Sequence, residues 1–303
     1  MKVAITGATG FLGRYLVDHL ANTGHVCQCW YRPTSDLGGF DAPKKSITWI
    51  PGEIGDRQAT LDLIDGCDAV VHAALDHPGG GFRGDEGELV PFLERNLIGT
   101  IRLIELARSS GVGRFVFIST CAVHDVVLDD RPLDETHPLW PKSHYGAHKA
   151  AIEAFVSSFG RGQGYPICAL RPTGIYGLAR PAKSSKWAGL ISQIARGEAV
   201  DCRRGGKEVH AHDVARAVEI LLRADDVSGE AYSCYDRYIS EFEVATIAKR
   251  LTGSASLISG EAPSPRHQIV TEKLRDLGMS FGGIDRLEST IKQILAALGQ
   301  GSR

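Results

Sequence analysis

The sequence predicts an α/β fold, a doubly wound parallel sheet with a smaller C-terminal lobe, and three features carry that prediction. The chain opens on an apolar run, Val3-Ala4-Ile5, that passes into Thr6-Gly7-Ala8-Thr9-Gly10-Phe11-Leu12-Gly13 and then into a helical pattern. Short, fully apolar segments then alternate with helix-period segments, as expected of parallel strands covered on both faces by crossover helices. Beyond Arg171-Pro172 the rhythm breaks into a glycine-, proline- and lysine-containing segment, Thr173 to Lys186, where the chain leaves the main sheet.

Each element follows from its residues. The first strand ends in glycines spaced GxxGxxG. Gly7 permits a tight turn, Gly10 lets the backbone approach a pyrophosphate, and Gly13 lets the new helix pack on the strand, while the helix N-terminus offers free N–H groups to an anion. The first interval is one residue wider than in the usual dinucleotide fingerprint, and a glycine-rich turn of another α/β protein is the competing explanation. Phe11 to Asn22 reads as helix, with Phe11, Leu12, Tyr15, Leu16 and Leu20 on one side and Thr23-Gly24 as its end. Strands are expected at Val26 to Tyr31, Ile47 to Ile50, Ala69 to Ala74, Phe115 to Ser119 and Ile167 to Leu170. Helices are expected at Ala59 to Ile64, Phe92 to Ser110 and Tyr145 to Phe159. After the break come a helix near Trp187 to Arg196 and a basic turn, Arg203-Arg204-Gly205-Gly206-Lys207. Asp213 to Leu222 follows as an amphipathic helix with Asp213 as N-cap, then helices at Glu241 to Leu251 and Leu287 to Leu298. The expected division is a dinucleotide-binding domain of residues 1–172 and 208–232, with a substrate lobe of 173–207 and 233–303. The loop Asp76 to Gly87, with Gly79-Gly80-Gly81, is the most flexible candidate.

At 303 residues the chain is long enough for one large α/β domain with an appendage. A hydrophobic content of 43%, a charged content of 23% and a formal net charge of −2 describe an ordinary soluble protein with no electrostatic pull toward nucleic acid or an anionic membrane. Seven cysteines with no CxxC pair do not make a disulfide framework, so a reducing, cytoplasmic setting is expected. No run has the length of a transmembrane span and the N-terminus lacks a signal-peptide core.

Tyr145-Gly146-Ala147-His148-Lys149 stacks a phenol and an ammonium on one helix face. An ordinary phenol titrates near pH 10, and bringing one to neutrality takes about 4 kcal/mol of differential stabilisation, which an adjacent cation helps to supply. The spacing is common by chance; its place, downstream of a phosphate loop and after a strand ending Ser119-Thr120, is what points to proton transfer.

This order of motifs resembles the extended short-chain dehydrogenase/reductase superfamily, also described as the NAD(P)-dependent epimerase/dehydratase family, across nearly the whole chain. The strings that carry the resemblance include Asp68 to Ala74, Asn96-Leu97-Ile98-Gly99-Thr100, Phe115 to Thr120, Leu170 to Gly177 and Val209 to Ala215. It implies a Rossmann-type sheet in which Thr120 hydrogen-bonds the substrate oxygen, Tyr145 moves its proton, and Lys149 holds the nicotinamide ribose. The implied cofactor contacts are Gly7, Thr9, Gly10, Phe11, Leu12 and Gly13 in the loop, Tyr31 and Arg32 after the second strand, and Glu53 and Ile54 beside adenine. Ala73, Ala74, Asn96, Lys149 and Pro172 complete that set. The blander alternatives are a strand-end hydroxyl for Thr120, a helix-surface tyrosine for Tyr145 and a helix-packing amide for Asn96. A homodimer through the helices at Phe92 to Ser110 and Tyr145 to Phe159 is likewise implied.

The second strand ends Cys29-Trp30-Tyr31-Arg32, without the carboxylate that reads both ribose hydroxyls of NAD, so NADP is expected in preference to NAD. A solvent-facing Arg32 is the alternative. Cys121-Ala122 stand where family dehydratases carry acidic residues, which disfavours dehydration; Gly206 stands where nucleotide-sugar enzymes keep a diphosphate-binding arginine, with Arg203, Arg204 and Lys207 nearby, and a diphosphate site stays open. His210 and His212 fit a metal pair on one strand face less well than a strand-to-helix passage, and no metal is expected. The run Arg203 to Lys207 is a solvated turn or an anion clamp. Three functions remain open: an oxidoreductase acting on a small, sugar-like substrate, a nucleotide-sugar epimerase that retains NAD, and a non-catalytic dinucleotide sensor.

Overall fold

The computed structural model describes residues 1–77, 84, 86–262 and 264–300. In chain order its elements are β1 (Lys2–Thr6), α1 (Phe11–Asn22), β2 (Val26–Tyr31), β3 (Ile47–Pro51), α2 (Arg57–Ile64), β4 (Ala69–His72), α3 (Leu89–Leu93), α4 (Gly99–Ser109), β5 (Arg114–Ile118), α5 (His144–Ser157) and β6 (Ile167–Pro172). There follow β7 (Gly174–Tyr176), α6 (Ala188–Ala195), β8 (Val200–Asp201), β9 (Gly205–His210), α7 (Ala211–Arg223), β10 (Glu230–Cys234), β11 (Arg237–Ser240), α8 (Glu241–Thr252), β12 (Ile258–Ser259), α9 (Glu272–Arg275) and α10 (Gly283–Gln300). The glycine run 79–81 of the expected flexible loop lies outside the described residues.

Seven strands form one sheet in the order β10-β6-β5-β4-β1-β2-β3, every pair parallel, which is the doubly wound arrangement expected from the sequence. The strand order reverses between β1 and β4, and ligands of such sheets bind in the crevice beyond the carboxyl ends at that point. Val70, Phe115, Phe117 and Ile167 of the sheet pack with Leu63, Leu103, Ile104, Ile152 and Val156 of the helices in one buried cluster. That burial is the main stabilising contribution of the sheet.

The chain divides into two compact units. The first holds Met1–Pro172, Val214–Cys234 and Ile269–Met279; the second holds Thr173–Asp213, Tyr235–Gln268 and Ser280–Arg303. The return to the first unit thus comes at Val214, later than the expected 208, and Ile269–Met279, expected in the lobe, belongs to the first unit. The second unit has its own core, in which Tyr176, Ile191, Ile239, Val244, Leu287 and Ile291 cluster beside the three-stranded sheet β11-β9-β7.

Four differences from the expected elements have local causes. β4 stops at His72 because the next two N–H groups turn to Thr6: Ala73 donates to its carbonyl at 3.3 Å, and Ala74 to its hydroxyl at 3.1 Å. The expected helix Phe92 to Ser110 is two α-helices, α3 and α4, joined by a π-helical turn, Glu94–Ile98. Asp213 does not cap α7, which starts two residues earlier; it lies in the first turn, fully buried, and accepts the Gly282 N–H at 3.0 Å. The same early start puts His212 in the helix, so His210 and His212 do not share a strand face.

Candidate active site

The glycines do what their spacing implies. Gly7 has φ +71°, and a Cβ there would lie 2.7 Å from the Ala74 nitrogen; a Cβ on Gly13 would lie 1.9 Å from the Gly7 carbonyl oxygen. Gly10 precedes α1 and is exposed, and no side chain caps the first turn of that helix. N–H groups without a capping side chain at a glycine-lined helix start fit a pyrophosphate.

A buried chain of hydrogen bonds holds this turn. The Thr100 hydroxyl donates to the Asn96 carbonyl at 2.5 Å and lies 2.8 Å from His72 Nε2. His72 Nδ1 in turn lies 2.6 Å from the Thr6 hydroxyl, which accepts from the Ala73 and Ala74 N–H groups. The chain is consistent when His72 is neutral with its proton on Nε2, and burial with the Lys149 charge lowers its pKa to about 3. Ala73 and Ala74 are thereby fixed against Gly7.

At the end of β2 the Arg32 N–H donates to the Ser35 hydroxyl at 3.0 Å, and Ser35 N–H returns to the Arg32 carbonyl at 2.8 Å. Thr9 reaches the same hydroxyl at 3.2 Å, so Thr9, Arg32 and Ser35 are gathered at one corner. Arg32 is exposed, and its guanidinium has no protein partner among the described residues. Asp36, the first carboxylate after the strand, is bound up with Arg14 at 3.2 Å. Tyr31 is half-buried with its ring edge-on to Trp49. Glu53 is exposed, whereas Ile54 packs on α4, its Cγ2 at 2.5 Å from where a Gly99 Cβ would be.

Thr120 follows β5 and accepts the Ala122 N–H at 3.1 Å, with its side chain half-buried. Ser143 caps α5 by accepting from Gly146 at 3.1 Å. Gly146 admits a close approach, since a Cβ there would lie 2.6 Å from the Ala122 carbonyl oxygen, and this brings the helix turn carrying Tyr145 against the turn that follows Thr120. Lys149 lies one helical turn on, 5% exposed, donating to the Ile118 carbonyl at 2.8 Å with its ammonium 4.5 Å from the centre of the Phe117 ring. Burial lowers its pKa to about 7, against the opposing pull of Glu153. The fold therefore gathers Thr120, Tyr145 and Lys149 at the carboxyl end of β5.

The Asn96 amide accepts the Asp76 N–H and donates to the Asp76 carbonyl, both at 2.8 Å, and donates to the Phe92 carbonyl of α3 at 3.0 Å, so it ties the chain after β4 to that helix. Pro172 ends β6, buried. Sequence reasoning missed His72, Ser35 and the buried pair Glu153–Arg171. The last had a signal, since Glu153 follows Lys149 by four residues and so shares its helix face.

In the second unit His210 Nδ1 accepts the His212 N–H at 3.0 Å and its ring meets Tyr176 edge-on, an arrangement of packing. Among the described residues no three His, Cys, Asp or Glu side chains converge as metal ligands. Arg203 of the basic turn pairs with Asp201 at 2.6 Å. No described helix is long and apolar enough to cross a membrane.

The chain is similar to known proteins. Residues 3–234 match the family model described as the NAD dependent epimerase/dehydratase family. The chain is 29% identical over 245 residues to the low-salt glycan biosynthesis protein Agl12 of Haloferax volcanii, covering 77% of this chain and 76% of that protein. It is 30% identical over 260 residues to a 3 beta-hydroxysteroid dehydrogenase/Delta 5→4-isomerase of Mycobacterium tuberculosis, covering 80% of this chain and 67% of that one. The UDP-glucose 4-epimerase of Thermotoga maritima, solved with UDP-glucose, has the same fold, with a TM-score of 0.80 at 21% identity over 98% of this chain and all of that one.

Proposed function

The chain belongs to the NAD-dependent epimerase/dehydratase family, and from that premise we propose that it is an NADP-dependent oxidoreductase acting on a hydroxyl or carbonyl carbon of a small substrate. The observation that carries this reading is the gathering of Thr120, Tyr145 and Lys149 at the carboxyl end of the sheet, beside an uncapped glycine turn. The relative named as a hydroxysteroid dehydrogenase supports net redox chemistry.

Nicotinamide dinucleotide, when bound, supplies or takes up the hydride. Gly7, Thr9, Gly10, Phe11, Leu12 and Gly13 would hold its pyrophosphate, with Ala73, Ala74 and Pro172 lining the approach and Lys149 meeting the nicotinamide ribose. Arg32, Ser35 and Thr9 offer a guanidinium and two hydroxyls to a 2′-phosphate, and a bidentate guanidinium suits a phosphate better than the unphosphorylated ribose hydroxyls. Tyr31, Glu53 and Ile54 would border the adenine. Thr120 donates a hydrogen bond to the substrate oxygen, and Tyr145 exchanges the proton there as hydride leaves or reaches the adjoining carbon. The charge of Lys149 stabilises the tyrosinate form of Tyr145, and the Ile118 carbonyl keeps that ammonium in place. Exposed Val90, Ile98 and Phe155, on or beside the helices expected to pair two copies, support a homodimer.

The likeness to UDP-glucose epimerases supports a second reading, epimerisation with retained NAD. Turnover separates the two. The oxidoreductase reading expects NADPH oxidation against a panel of ketones and aldehydes, a loss of about 10²-fold or more in kcat for Tyr145→Phe with NADPH affinity kept, and about tenfold weaker NADPH binding for Arg32→Ala with NADH binding unmoved. Full activity in Tyr145→Phe would end the proton-transfer assignment, and equal affinities for NADPH and NADH would end the Arg32 assignment.

A further inference from the structure

The second unit contains a carboxylate that the fold has made room for and left half-satisfied. Glu208 on β9 is 3% exposed. A Cβ on Gly174 would lie 2.5 Å from its Oε2, and a Cβ on Gly206 2.5 Å from its Oε1, so two neighbouring positions are glycine where this side chain lies. Oε1 accepts from the Lys186 ammonium at 2.5 Å, whereas Oε2 is buried with no hydrogen-bond partner among the described residues. Burial raises the Glu208 pKa, and the Lys186 ammonium opposes that rise.

A second buried group lies on the same sheet face. Gly174 is the register partner of Glu208, and Tyr176, two residues further along β7, pairs with His210. Alternation along the strands puts Tyr176 diagonally beside Glu208. Tyr176 is fully buried and its hydroxyl also has no partner among the described residues. One strap covers both groups: Lys186 bonds Glu208, and the Trp187 ring meets Tyr176 at 5.4 Å. The backbone of Trp187 is left-handed, φ 65°, a conformation that costs a non-glycine residue.

We propose that Glu208 and Tyr176 are the substrate-recognising groups of the second unit, and that they take a neutral, hydroxyl-bearing group and not a diphosphate once the Lys186–Trp187 strap moves aside. The charge of Glu208 is already matched by Lys186, so the vacant oxygen lacks a hydrogen-bond donor and not a counter-charge. A hydroxyl supplies that donor and accepts from a phenol as well; a diphosphate carries only acceptor oxygens and adds negative charge beside a carboxylate. Gly206 stands where nucleotide-sugar enzymes of the family keep a diphosphate-binding arginine, and Arg237, opposite Glu208 on β11, is already paired with Glu243 at 2.8 Å.

This inference rests on reading the chain as a dinucleotide oxidoreductase, and the test keeps the two apart. The full-length protein with NADP present is titrated with methyl glucoside and with UDP, following ligand saturation-transfer NMR, while NADP binding is measured in parallel. The expected result is saturable glucoside binding weakened about tenfold or more in both Glu208→Gln and Tyr176→Phe, NADP binding unchanged in both variants, and no saturation by UDP up to about 1 mM. Micromolar UDP binding, no glucoside binding, or glucoside binding that neither variant weakens overturns the inference and leaves the oxidoreductase reading standing. Failure of the wild-type protein to bind NADP or NAD overturns the reading beneath it.

Discussion

Two buried ion pairs, one in each unit, are built to opposite ends. In the first unit Glu153 and Arg171 are 5% and 4% exposed in their side chains, and both carboxylate oxygens take Arg171 donors, with Ser119 adding a third partner. The remaining arm of Arg171 reaches His124 Nε2 at 3.3 Å and the Glu135 carbonyl at 3.4 Å, tying α5, β6 and the segment after Thr120 together. In the second unit Glu208 is equally buried, but its partner Lys186 is 37% exposed and one carboxylate oxygen has no donor among the described residues. A satisfied network rigidifies; a half-satisfied one costs stability unless something else completes it. On the roles proposed above, the first pair positions catalytic groups and the second waits for a ligand.

Removing each carboxylate breaks or sharpens this contrast. Glu153→Gln leaves a buried guanidinium without counter-charge and is expected to cost about 3–5 kcal/mol in urea unfolding. Glu208→Gln releases Lys186 into water and is expected to cost no more than about 1 kcal/mol. Equal losses would erase the distinction.

Acid should also act unevenly. His72 and His148 have pKa values lowered to about 3, and His124 to about 4, all by burial first; the second unit contributes His210, also at about 3. In each case the folded state binds fewer protons than the unfolded one between the folded value and the ordinary 6.5. The stabilisation is therefore whole above about 6.5 and is lost as pH falls, by at most about 1.4 kcal/mol per pH unit for each group. Hydrogen exchange from pH 7 to pH 5 should loosen the first unit, where burial lowers the His25 pKa as well, more than the second. The opposite order would contradict the assignment of these rings as buried neutral groups.

The smallest expected effect is at the cofactor corner. Ser35→Ala removes the hydroxyl that orders Arg32 and should weaken NADPH binding about fivefold with little change in melting temperature. An unaltered NADPH affinity would remove Ser35 from the site.

The first unit was more legible than the second for a physical reason. The Val3 to Gly13 string and the apolar runs at Ala69 and Phe115 encode local geometry directly, because a tight turn needs glycine and a doubly covered strand needs unbroken apolar residues. Tyr145 and Lys149 were readable because helix period alone puts them on one face. Ser35 was not, since its partners depend on how the loop after β2 folds back. β10 was missed because Glu230–Cys234 mixes polar and apolar residues over five positions, too short for a period to stand out. Glu208 was invisible because its burial comes from Gly174 and Lys186, distant in sequence and brought to it by the register of β7 and the strap before α6.

The most direct test of the oxidoreductase account is mass-spectrometric identification, with stoichiometry, of the nucleotide released when freshly purified protein is denatured. The account predicts little bound nucleotide, with NADP the main species, as for a cosubstrate that exchanges at each turnover. Near-stoichiometric NAD would contradict it, moving the chemistry to epimerisation on a retained cofactor and removing Arg32 from the 2′-phosphate role.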